Sequence, residues 1–141
     1  MGMHQLTGSD LEFRRQFGAG ELAPGDFNHR AHLRLGYIHL ASHGPIQAVT
    51  SFRNALLAYL KYHGLDPKKF HETLTQAWLM AVWHFMQRAG VTNGSEDFLQ
   101  RSSELLDPGV MLTHYSRDLL SSEDARKSFI QPDLDPIPPG N

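Results

Sequence analysis

Apolar residues recur along this chain at three- and four-residue intervals, and no stretch alternates apolar with polar in the period of a half-buried strand. Ser9 is positioned to cap a short amphipathic helix through LEFRRQF, which the following GAG ends. After the turn APGD, Asn28 or Asp26 can cap a helix running to about Ser42. The triplet His43-Gly44-Pro45 stops it, and Pro45 suits the first position of the next helix. There Val49, Phe52, Leu56, Tyr59, Leu60 and His63 follow the helical period until Gly64. Asp66-Pro67 reads as cap plus first position of a long helix ending before Gly90. Ser95 starts another through EDFLQRSSELL, and Asp107-Pro108 repeats the cap-plus-proline signal ahead of GVMLTHY. SSED, Ser121 to Asp124, is a capping-box pattern for a last short helix to about Phe129. The closing IQPDLDPIPPGN is too rich in proline for helix or central strand and should lie extended on the surface or trail off. The expected fold is therefore all-α: one bundle of roughly five to seven helices over residues 1–130, with an extended Pro-rich tail over 131–141.

Composition narrows the function classes. At 141 residues the chain suits one domain with an ordinary core, and 40% hydrophobic with 20% charged residues marks it as globular. A formal net charge of -2, with no Lys/Arg run, offers no field for nucleic acid. The absence of cysteine removes disulfides, Fe–S clusters, thiolate zinc and a Cys nucleophile. No apolar run approaches spanning length and MGMHQLTGSD lacks the apolar core of a signal peptide, so the expectation is a cytoplasmic protein without membrane contact.

Four of nine histidines fall within FNHRAHLRLGYIHLASHG. On a wheel of about 100° per residue with His29 at zero, His32, His39 and His43 fall at about 300°, 280° and 320°. Gly36 falls among them, while Arg30 and Arg34 point the other way, toward water. The stripe thus occupies the face that should be buried. Each buried imidazole must satisfy two ring nitrogens, which makes a purely structural stripe demanding. His43 can simply interact with the helix C-terminus, and His39 can be an ordinary core residue. His29 and His32, at i and i+3, can both reach one point. Gly36, costly inside a helix, implies either close packing of another helix or room for a ligand.

Short connections favour antiparallel neighbours, so the helices beginning near His29 and near Pro67 should start at the same end of the bundle. That brings His71, on the inward face with Thr75 and Trp78, level with His29 and His32. Glu72 is either a carboxylate supporting that site or a solvated first-turn residue. His114 shares the apolar side of Val110 and Met111 and is assigned to the same layer.

Neutral imidazoles converging in an apolar pocket suit a divalent transition metal, Fe, Zn, Cu or Ni, with His29, His32 and His71 as ligands and one position open for water or substrate. His114, Glu72 and Tyr115 are then the candidate catalytic residues, with His114 or Glu72 as a fourth ligand or as the group that orients the others, and Gly36, His39, Thr75, Trp78 and Arg117 line the expected ligand pocket. Arg117 can instead form a surface ion pair with Asp118 or Asp124. Against a metal, two helix N-termini at one end make a positive potential that favours an anion and keeps histidines neutral. A second reading is therefore a metal-free acid–base pocket for a small anionic ligand. A third is a non-catalytic interaction or regulatory module, with Met80 and Trp83 as a candidate homodimer surface.

FNHRAHLRLGYIHL, FHETLTQAWLMAV and LTHYSRDLLSSEDARKSFIQPDLDPIP resemble a group of small uncharacterised bacterial all-helical proteins with HxxH and FHET-type motifs. The resemblance implies a helical fold and carries no activity, substrate or cofactor. The carboxylate-and-histidine spacings of hemerythrin are absent, as is a pattern of the DinB-like metal bundles.

Overall fold

The structure is a computed structural model that describes residues 4–138. Its helices are α1 (Gly8–Gly18), α2 (His29–Tyr62), α3 (Glu72–Ala89), α4 (Ser95–Arg101), α5 (Arg117–Leu120) and α6 (Glu123–Lys127). Short 3-10 turns at Pro24–Asp26, Pro67–Lys69, Ser103–Leu106 and Pro108–Thr113 join them. Among the described residues there is no strand, and His4 and Thr92 form one isolated bridge. The all-α expectation holds.

Local chemistry accounts for most helix starts. Thr7, rather than Ser9, caps α1: its hydroxyl accepts from the Asp10 amide while the Asp10 carboxylate accepts from the Thr7 amide. Asn28 caps α2 by accepting from the Ala31 amide. Asp66 does cap Pro67, but that turn is 3-10 and ends at Lys69; α3 begins two residues beyond Phe70, with His71 itself as cap. The segment after Asp107 is likewise 3-10, not α-helical.

α2 is two helices in one. Gly44 has φ 78° and ψ 170°, a conformation open to glycine alone, and Pro45 opens the second arm. The arms fold back on each other, since His39 meets Ser51, the His32 ring meets Phe52 at 5.2 Å, and Phe27 meets Tyr59 at 5.5 Å. α3 lies against the first arm in the same sense, with Trp78 beside His29 and Leu79 beside Gly36. The core holds Leu33, Leu35, Tyr37, Ile38, Phe52, Val82, Met86, Phe98 and Tyr115.

One side chain departs from expectation. Arg30 is exposed and pairs with Glu96, but Arg34 turns back over the Phe13 ring and bonds to Asp10, Ser95 and Ser9. Asp10, 1% exposed, ties α1, α2 and α4 together by accepting from Arg34 Nε and from the Ser95 amide and hydroxyl. Burial would raise its carboxyl, yet the hydrogen bonds from Ser95, Thr7 and Arg34 outweigh burial and hold it below the usual aspartate range. The tail does not trail off. Tyr115 donates to the Ile130 carbonyl at 2.6 Å, Asp133 accepts from both the amide and hydroxyl of Ser116, and Ile137 is buried. Residues 139–141 of the expected tail lie outside the described residues.

Candidate ligand cavity

At the end of the bundle where α2 and α3 begin, a cavity of about 510 Å³ opens to solvent. His29, His32, His71, Thr75 and Trp78 all line it, as the shared starting level of the two helices predicts. Its remaining wall is Pro24, Phe27, Asn28, Leu56, Tyr59, Leu60, Leu65, Lys69, Phe70 and Leu74. The size and the mixture of apolar walls with a few polar groups are those of an ordinary small-molecule site.

The three imidazoles are not equivalent. His71 Nδ1 accepts from the Leu74 amide at 3.0 Å, so it carries no proton, and Nε2 donates to the Leu120 carbonyl at 2.8 Å. Both of its nitrogens are committed. His29 Nε2 donates to the Leu105 carbonyl at 2.9 Å, which leaves Nδ1 as an acceptor. The ring also packs edge-on against Trp78. His32 has aromatic contacts only, with Phe27 at 5.7 Å and Phe52 at 5.2 Å. Neither of its nitrogens finds a partner among the described residues, and neither is closed off from solvent. Burial, and then the neighbouring His29, push the His32 imidazole down to about 4, so it is neutral at pH 7.

This arrangement bears directly on a metal. With His71 committed at both nitrogens, His29 and His32 leave two donors where a catalytic zinc-type site takes three protein ligands. Among the described residues no group of three or more His, Cys, Asp or Glu side chains is arranged to hold a metal ion.

Six other candidates lie off the cavity. Glu72 is buried, as a site residue would be, but its oxygens pair with Arg53 Nε at 2.8 Å and Gln76 Nε2 at 2.7 Å. His39 bonds Ser51 Oγ farther along the hairpin; burial, His43 and Arg14 push it down to about 4. Gly36 sits off the cavity beside Leu79, where an added Cβ would make only an ordinary contact at 3.4 Å, so neither close helix packing nor room for a ligand requires glycine there. His114 belongs to the tail contact, its Nδ1 donating to the Asp135 carbonyl at 2.8 Å, because the turn before it is 3-10 rather than a helix aimed at the layer. Tyr115 is fully buried under the tail, and burial pushes its hydroxyl up to about 12. Arg117 is exposed on α5 and forms no ion pair with Asp118 or Asp124 among the described residues.

The chain itself held signals for several wall residues that the histidine pattern overlooked. Phe27 precedes the Asn28 cap and meets His32 at the fourth helical position, the pairing of a hydrophobic staple. Leu56, Tyr59 and Leu60 lie on the inward period of the second arm, whose end must return to this level. Lys69 had no such signal, since its place depends on the unexpected 3-10 turn. Comparison with protein-family models, curated proteins and solved structures finds no match for the chain.

Proposed function

We propose that the protein binds a small organic anion in this cavity without a metal, with neutral His32 as the hydrogen-bonding and proton-accepting group. One observation carries the proposal: a ligand-sized cavity onto which His32 presents an imidazole with both nitrogens uncommitted. No Asp or Glu lines the cavity, Lys69 does, and the N-termini of α2 and α3 add positive potential. His29 Nδ1 and Thr75 supply further polar contacts, while the bonds to Leu105 and Leu120 hold the His29 and His71 rings in place.

The test is to titrate a fragment collection of acids, neutrals and amines while following imidazole resonances. Acids should shift His29 and His32, and His32→Gln should weaken their binding while the protein stays folded. A collection in which no fragment moves either ring would overturn the proposal and favour a non-catalytic module. For that reading, the apolar groove among Leu40, Val49, Met80 and Trp83 would be the surface to examine. A His-ligated metal keeps one supporting fact, three imidazoles on one cavity. It requires His71 to release Leu74 or Leu120. Stoichiometric metal in protein purified without a nickel column would restore it.

A further inference from the structure

The shape and polarity of the same cavity narrow the ligand further, an inference that rests on the pocket proposed above. We infer that the ligand is an aromatic acid bearing a ring hydroxyl or N–H, its carboxylate at the mouth beside Lys69 and its ring donor on His32.

The walls favour a flat ring. Phe27, Tyr59, Phe70 and Trp78 come from four separate segments to one cavity, and aromatic faces prefer an aromatic guest. The polar inventory is too small for a sugar or nucleotide. Each unpaired hydroxyl of such a ligand would cost about 1–3 kcal/mol, and the wall has one Lys and no Arg for phosphates. Cationic ligands find no carboxylate in the wall.

Desolvation sets the orientation. A carboxylate driven against a neutral, enclosed imidazole loses hydration worth several kcal/mol, whereas beside the exposed Lys69 it keeps water and gains a counter-charge. The ring then enters first. Its far edge meets His32, whose uncommitted nitrogens lose water when a ring fills the space beside Phe27 and Phe52 and then need a partner on the ligand. A saturated fatty acid would fill the same space but leave those nitrogens unpaired.

Three probes separate the contributions: 4-hydroxyphenylacetate, phenylacetate, which lacks the hydroxyl, and 2-(4-hydroxyphenyl)ethanol, which lacks the charge. Wild-type protein should bind the first about tenfold more tightly than either of the others, roughly one hydrogen bond or one ion pair. Lys69→Met should abolish the preference over the alcohol and keep the preference over phenylacetate. His32→Leu should do the reverse, a crossed pattern that general destabilisation does not produce. If His32→Leu fails to fold, wild-type ring nitrogen shifts replace it: the hydroxylated probe must move His32 and phenylacetate must not. Equal binding of acid and alcohol, octanoate as the tightest ligand, or an unaffected Lys69→Met variant would each overturn this inference. The pocket proposal would survive the octanoate or Lys69 result, since some organic acid still binds. No shift of His29 or His32 by any probe or fragment would end both.

Discussion

Two glycines of α2 show how far a single residue's role depends on backbone geometry. Gly36 sits in regular helix, and a Cβ there meets Leu79 at an ordinary 3.4 Å. Gly36→Ala is expected to raise stability by about 0.5–1 kcal/mol, the helix-interior penalty of glycine. Gly44 is the opposite case: an added Cβ meets nothing within 4 Å, but φ 78° with ψ 170° excludes other residues. Gly44→Ala should cost about 1–3 kcal/mol through backbone strain alone. Urea denaturation of the two variants checks both signs. Asp10 is the residue on which most polar contacts converge, and Asp10→Ala should cost about 3–5 kcal/mol by stranding Arg34 and Ser95. The break at Gly44 was signalled by the adjoining Pro45, whereas nothing in residue type marks Asp10 as the joint of three helices. The stripe of His29 and His32 was legible, because 3.6-residue periodicity is local; which imidazole nitrogen stays open was not, because carbonyls of residues 105 and 120 decide it.

Among elements, those capped by their own neighbours were readable and those shaped by distant partners were not. Asn28 caps the helix that follows it, as its side chain predicts. In SSED, by contrast, the cap is Ser122, accepting from the Ala125 amide, one residue after the Ser121 start that a capping box with Asp124 would give. The Pro67 and Pro108 segments stop as 3-10 turns, because cap and proline choose where a helical turn begins and not how long it continues. His71 then serves as cap through Nδ1, an uncommon role, and its Nε2 reaches the C-terminal end of α5. The tail owes its order to tertiary bonds. Tyr115→Phe should strand the Ile130 carbonyl and cost about 1–2 kcal/mol. Proteolysis within residues 130–138 should accelerate in the same variant.

For the molecule as a whole, the enclosed histidines set a pH response. His32 and His39 ionise at about 4 when folded, against 6.5 as the ordinary histidine value. The unfolded chain therefore takes up their protons first as pH falls. Their effect is absent above about 6.5 and grows as pH drops toward 4, to as much as about 3 kcal/mol for each. Thermal midpoints should fall steeply across that window. His39→Gln, which can still bond Ser51, should flatten the curve without altering the cavity. Asp10, held below its usual range, adds a further loss only at still lower pH.

The fold class and the meeting of His29, His32 and His71 at one end follow from periodicity, caps and short connections, which are properties of neighbouring residues and of chain direction. Cavity walls, ring-nitrogen partners and the placement of Glu72, His114 and Tyr115 off the cavity wall come from contacts between residues far apart in the chain. Such contacts are selected by packing of the whole core, and no local pattern encodes them.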